Sequence, residues 1–343
     1  MNGEGSSPPG LDLAALQAYL ADAAPGLLDG ELRAELIAGG KSNLTYFVSN
    51  RERTVVVRRP PLGHVLATAH DMSREHRVIS ALADTDVPVP AAYALCEDTE
   101  VIGAPFYVME RSLGRAYARA VDLEPLGPEL TGAISERLVD TLVALHAVDP
   151  DALGLTDFGR PQGFLGRQVR RWGTQLDASR SRDLPDADAL LTALAAHVPD
   201  EQPGTIVHGD FRLDNALVDD QGRVTAVLDW EMSTLGDPLT DLGTMLVYQH
   251  LAALAPDSLS DAPLAPGYLS PDDLRDRYAA QSGRNLSDLP FYLALAFFKL
   301  GVILEGIHYR FLQGQTVGEG FGHLGQFTPM LFQGGLEALD TRR

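Results

Sequence analysis

Cysteine is almost absent from these 343 residues: Cys96 stands alone, so neither an intramolecular disulfide nor a cysteine-built metal cluster can form. Lysine is nearly as scarce, with Lys41 and Lys299 the only two and arginine carrying the remaining positive charge. Basic residues as a whole are short, 27 Lys and Arg against 47 Asp and Glu, for a formal net charge of −20. A polyanion needs a basic footprint, so neither a nucleic acid nor an anionic membrane is an expected partner. The acidity suits a cationic ligand, although it also simply aids solubility. Long apolar runs are missing too. The longest, 291–304, is interrupted by Lys299 and falls short of the about 20 residues a bilayer requires, which predicts a buried helix. The opening MNGEGSSPPG is polar, with no charged-then-apolar leader pattern, and with a single thiol it makes a cytoplasmic location the expectation.

The rest of the composition is that of a globular protein with room for one large domain or two lobes. Residues 1–10 read as a flexible tail. Leu13, Leu16 and Leu20 give helical spacing over 11–21, and the pattern then changes to strands over 32–38, 44–49 and 54–59. Pro60 and Pro61 end the third strand, an amphipathic helix is predicted over 68–82, and two more strands over 91–96 and 106–109. Beyond Glu110 the texture is helical, over 130–145, 164–176, 187–197, 239–250, 271–281 and 289–312, broken by short strands at 205–207, 215–218 and 224–228. Residues 252–270, rich in Ala, Pro and Ser, read as a loop. The expected fold class is α+β with two lobes: an N-lobe over 11–110 built on an antiparallel sheet with one helix, a larger helical C-lobe over 111–343, and a cleft between them.

Polar residues concentrate at 208–215, HGDFRLDN, and again at LDWE, whose aspartate lies fourteen residues past the asparagine. A short apolar strand delivers the first segment and another leaves it, so Asp210 is expected at the tip of a rigid turn, with Asn215 close by and Asp229 at the end of the following strand. One carboxylate to orient a hydroxyl, with an amide oxygen and a second carboxylate on Mg²⁺, is what phosphoryl transfer requires. His208, Asp210, Asn215 and Asp229 resemble the H-x-D-x-x-x-x-N loop and following Asp of the aminoglycoside phosphotransferase and choline kinase family, relatives of the protein kinases. The resemblance implies that Asp210 is the catalytic base or hydroxyl-orienting group, that Asn215 and Asp229 bind Mg²⁺, and that His208 braces the backbone. Glu231 would reach the metal through water or be a plain surface acid, and Asp241 in DPLTDLG would steady the catalytic loop from a helix start.

The same resemblance assigns the nucleotide, ATP, to the N-lobe. In GGKSNLTYFV, Gly39 and Gly40 permit close backbone approach, while Ser42, Asn43 and Thr45 offer donors to phosphate. Arg58 ends the third strand where most kinases carry lysine, and Glu75 on the next helix is its expected ion-pair partner. Tyr107 to Glu110 occupies the hinge position, with Met109 against the adenine and Glu110 beside it. Within the family, LDWEMSTLGDPLTDLG and FFKLGVILEGIHYR look closest to the kinase-like domain fused to acyl-CoA dehydrogenases and to its free-standing bacterial relatives. The implied activity is ATP- and Mg²⁺-dependent phosphorylation of a hydroxyl on a small molecule, aminoglycoside-like or a hydroxyacyl-type metabolite. A nucleotide-binding pseudokinase with a regulatory role is the alternative, supported by Arg58. Asp272, Asp273 and Glu305 would suit a cationic acceptor, and His308 and Arg310 an anionic one.

Overall fold

The computed structural model describes residues 7–37, 43–62, 71–254, 260–315 and 321–340. Gly39, Gly40, Lys41 and Ser42 therefore lie outside the described residues. The chain forms two compact units, one comprising Met1–Leu113 and Thr225–Ser233, the other Gly114–Val224 and Thr234–Arg343.

The first unit is built on a five-stranded sheet: β1 (Arg33–Leu36), β2 (Leu44–Ser49), β3 (Thr54–Arg59), β4 (Ala92–Cys96) and β5 (Phe106–Glu110). Its order is β1-β2-β3-β5-β4 and every pair is antiparallel. Side chains alternate faces along a strand, and that period sorts the unit. Tyr46, Val48, Val55, Val57, Phe106 and Val108 enter one apolar cluster, closed by Leu16 and Leu20 of α1 (Leu13–Ala23). Asp12 starts that helix by accepting from the amides of Ala14 and Ala15. The intervening positions Thr45, Arg58 and Tyr107 are cross-strand partners in one row, and Val56 pairs with Met109 in the next. A one-residue slip in β3 would drive Arg58 into the apolar cluster, so the hydrophobic pattern itself fixes which face carries the charge.

Helix α2 (Met72–Leu82) follows, capped by Asp71, which accepts from the Arg74 amide. A short helix not foreseen in the sequence, α3 (Thr99–Ile102), is capped by Asp98 and ended by left-handed Gly103, so four residues suffice for it. Strand β1 is shorter than the expected 32–38, with Leu32 and Ile37 outside it.

The second unit is mainly helical. It contains α4 (Ala120–Leu123), α5 (Gly127–Ala147), α6 (Phe164–Ser179), α7 (Pro185–Ala196), α8 (Leu239–Leu254), α9 (Pro271–Ser282), α10 (Leu289–Leu312) and α11 (Thr328–Asp340). Short strands β6 (Thr205–Val207) and β9 (Thr234–Gly236) pair antiparallel; β7 (Ala216–Val218) follows, and the chain returns to the first unit within β8 (Val224–Val227). Helix α10 is the axis of this unit, packing against α6, α7, α8 and α11. It coincides with the helix expected over 289–312, and at 24 residues it is long and apolar enough to cross a membrane by length and composition alone. Here 72% of its most apolar window is buried inside the protein, which makes it a core helix.

Gly243 sets the spacing of α8 and α10, because a Cβ there would lie 2.8 Å from the Tyr292 carbonyl oxygen. That contact is with backbone and has no rotamer to escape by. Gly243→Ala should therefore destabilise the protein by about 1–3 kcal/mol, the usual cost of overpacking, seen as a lower urea midpoint. An unchanged midpoint would show that the two helices separate at no cost.

Candidate active site

In the first unit, Arg58 sits at the centre of an acidic cluster. Its Nε lies 3.0 Å from Glu75 Oε2, its Nη2 pairs with Asp229 Oδ1, and Glu231 Oε2 stands 3.9 Å away. The predicted Arg58–Glu75 pair is thus present. Glu75 is 1% exposed, and as a pure acceptor it also receives Tyr107 Oη at 3.0 Å and Asn43 Nδ2 at 3.2 Å. Burial alone would draw the guanidinium down, but Glu75, Tyr107, Asp229 and Glu231 hold it above its ordinary range. Arg58 stays charged.

Asn43 was expected to offer its amide to phosphate. In the structure Nδ2 is taken by Glu75 and by Glu231 Oε2 at 3.1 Å, while the buried Oδ1 has no partner among the described residues. Thr45 lies beside Arg58 in the register. Met109 is buried in β5 between Val56 and Ala92, and Glu110 is exposed, its Oε2 accepting from the Ala91 amide at 3.2 Å.

Asp229 has φ 65° and ψ 58°, and is the one non-glycine residue with positive φ among those described. Aspartate tolerates the left-handed region better than most residues, yet the conformation still costs about 1–2 kcal/mol. Local bonds hold it there: Trp230 Nε1 donates to Val227 O at 2.9 Å, Ser233 Oγ to Trp230 O at 2.6 Å, and Arg74 Nη2 to Ser233 O at 3.1 Å. Strain kept in place this way is a mark of functional positions.

In the second unit, buried β6 delivers His208 and Gly209, and the carboxylate of Asp241 in the first turn of α8 receives both amides, His208 N at 2.7 Å and Gly209 N at 2.8 Å. Gly209 has φ 86°, a region in which a side chain is strained, so glycine is required at this bend. Asp241 is fully buried; burial would raise its carboxyl, but His146, His208 and the amides it receives keep it below the usual range. His146 bridges Asp241 at 3.3 Å and Tyr278 Oη at 2.8 Å. The tautomer that serves both has Nε2–H donating to Asp241 and Nδ1 accepting from the phenol.

Asp210 leaves this turn with its own amide donating to His208 Nδ1 at 3.2 Å, the bracing role expected of that histidine. Its carboxylate is held on both oxygens, Oδ1 by Tyr248 Oη at 2.8 Å and Oδ2 by Asn215 Nδ2 at 3.1 Å. Asn215 Nδ2 also donates to Asp210 O at 2.8 Å, so the amide nitrogen faces inward and Oδ1 is left without a partner among the described residues. Arg212 pairs with Asp214 and lies 4.4 Å over the Tyr248 ring. Tyr248 was missed from sequence; a tyrosine in a helix 33 residues beyond the motif carries no local sign of its target.

The donor set fits Mg²⁺. One guanidinium faces three carboxylates in the Arg58 cluster, a formal excess of two negative charges that would repel a polyphosphate unless a divalent cation joined it. Among the described residues no group of three or more His, Cys, Asp or Glu could hold an ion unaided. Mg²⁺ does not ask for one, because it keeps several waters and takes one or two carboxylates plus phosphate oxygens.

The phosphotransferase enzyme family matches residues 33–283. Acyl-CoA dehydrogenase family member 10 of Mus musculus is 37% identical over 289 residues, which is 81% of this chain. The chain spans only 26% of the length of that relative. A solved Ralstonia eutropha protein, whose assignment as an aminoglycoside phosphotransferase is itself an inference, is 35% identical with TM-score 0.84, covering 96% of this chain and 98% of its own. A thermostable mutant of the aminoglycoside phosphotransferase APH(4)-Ia, in ternary complex with AMP-PNP and hygromycin B, shares the fold at 15% identity and TM-score 0.59, covering 94% and 98%. The fold is thus the α+β, protein-kinase-like one.

The His146 network has a pH consequence. His146 is 3% exposed, and burial outweighs the pull of Asp241 to push its imidazole below the ordinary range. The unfolded chain titrates near about 6.5, so below that pH it binds a proton the folded state refuses. Stability is therefore whole above about pH 6.5 and falls as the pH drops toward the folded value. His76 and His250 are lowered by burial too and act in the same direction. Urea midpoints of the wild type should fall more steeply from pH 7 to 5 than those of His146→Gln; parallel slopes would clear His146 of the effect.

Proposed function

We propose that this chain, which belongs to the phosphotransferase enzyme family, is a small-molecule kinase that transfers the γ-phosphoryl group of ATP, with Mg²⁺, to a hydroxyl of its acceptor. The observation that carries this reading is the carboxylate of Asp210, fixed on one oxygen by Tyr248 and on the other by Asn215. A base so restrained presents a lone pair in one direction, which suits an in-line attack whose demands are chiefly positional.

In this reading Asp210 accepts the proton as the acceptor oxygen bonds to the γ-phosphorus and the bond to the β–γ bridging oxygen breaks, leaving ADP. Arg58, kept charged by its carboxylates, binds the α- and β-phosphate oxygens. Glu75 orients Arg58 and does not touch substrate. Asp229 and the Asn215 amide oxygen would hold Mg²⁺. Bound Mg²⁺ supplies neutralisation of charge on the β- and γ-phosphate oxygens. Gly40, Ser42 and Thr45 would serve the phosphates, and Met109 and Glu110 the adenine. The AMP-PNP and hygromycin B held by APH(4)-Ia support a nucleoside triphosphate and a hydroxylated small molecule as the pair of substrates. The pseudokinase alternative draws on Arg58 in the place of lysine; the ion pair of Arg58 with Glu75 supports the kinase reading.

Asp210→Asn should lower Mg²⁺-ATP turnover by about 10²–10⁴-fold and leave the Kd for Mg²⁺-ATP within about threefold, followed by ADP release and by calorimetry. Full turnover in that variant would sink the assignment. EDTA should abolish activity and added Mg²⁺ restore it. In Asp229→Asn the Mg²⁺ concentration for half-maximal rate should rise about tenfold or more.

A further inference from the structure

The middle of α10 is an unpromising place for a charge. Phe297, Phe298, Leu300 and Val302 are all 5% exposed or less, and among them stands Lys299. Removing an ammonium from water is costly, so a lysine here needs compensating partners. Its Nζ donates to the carbonyl oxygen of Gly209 and lies 6.0 Å from the centre of the Trp172 ring. The charged groups facing it are Asp210 and Asp241, with Arg171 as the like charge. Burial pushes the amine down and the two aspartates pull it back up.

The partner atom matters more than the charge. The Gly209 carbonyl and the Asp210 amide belong to one planar peptide unit. Lys299 holds the oxygen of that unit, and His208 Nδ1 receives its N–H at 3.2 Å. A plane pinned at both ends cannot rotate, and its orientation sets the direction of the Asp210 Cα–Cβ bond. We propose that Lys299 is a positioning residue for phosphoryl transfer, acting through the Gly209–Asp210 peptide to aim the Asp210 carboxylate. This rests on the role given to Asp210 above. Tyr248 and Asn215 fix the carboxylate at its tip, whereas Lys299 fixes the backbone from which it projects.

The test uses the full chain and the slow hydrolysis of Mg²⁺-ATP, with water as acceptor. Lys299→Met should lower kcat roughly ten- to hundredfold, the scale of a small misplacement, with KM for Mg²⁺-ATP within about twofold. In an Asp210→Asn background the same substitution should cause no further loss, because there is no base left to aim. Lys299→Gln, whose amide can still donate to the Gly209 carbonyl, should retain more turnover than Lys299→Met, and it stands in if the methionine variant does not fold. Wild-type kcat in Lys299→Met, an equal proportional loss in both backgrounds, or no advantage of Gln over Met would each overturn the proposal. Absence of any wild-type turnover would instead overturn the functional reading on which it rests.

Discussion

The turn that presents Asp210 depends on a carboxylate that has no contact with water. Asp241 is fully buried, yet it accepts two consecutive backbone amides, His208 and Gly209, and a histidine N–H. An isolated buried charge would cost several kcal/mol, so each of these donors is needed and none is free to rotate away. The energy that keeps Asp241 ionised is the same energy that fixes the bend before Asp210. The positive φ of Gly209, the brace at His208 and the direction of Asp210 are all downstream of that arrangement.

The first unit solves a different electrostatic problem. Arg58 is held on the polar face of the sheet by strand register and surrounded by Glu75, Asp229 and Glu231. Three carboxylates on one guanidinium would be an odd choice for gripping an anion alone. With the divalent cation proposed above, the balance would turn, and the same acids would favour bound phosphate. Arginine is the apt residue in such company, since its fork can serve Glu75 through Nε and Asp229 through Nη2 at once, which a lysine ammonium cannot do in a fixed plane.

Much of this was legible in the sequence because it is local. HGDFRLDN keeps Asp210, His208 and Asn215 within eight residues, and alternation in Thr54–Arg59 places Arg58 on its face. The pair with Glu75 followed from a helix set directly after the strand. What stayed hidden is long-range or short-element. Tyr248 reaches Asp210 across 38 residues and Lys299 reaches Gly209 across 90, and neither helix shows by its pattern which inward residue will find a backbone partner. Helix α11 and the turn before it were not foreseen, because Gly325, Gly334 and Gly335 weaken the helical signal there; they allow close packing, Gly334 against Phe297 of α10. Asn43 shows the limit of assigning donors by residue type, since two carboxylates compete for its amide.

The left-handed backbone at Asp229 bears on how this position can change over generations. Two filters act there on any replacement codon: one for the sign of φ, which admits glycine and asparagine readily, and one for a negatively charged oxygen, which admits neither. Glutamate passes the second filter and fails the first. Aspartate joins a short side chain that tolerates positive φ to a carboxylate, so a replacement there gives up either the charge or the backbone conformation.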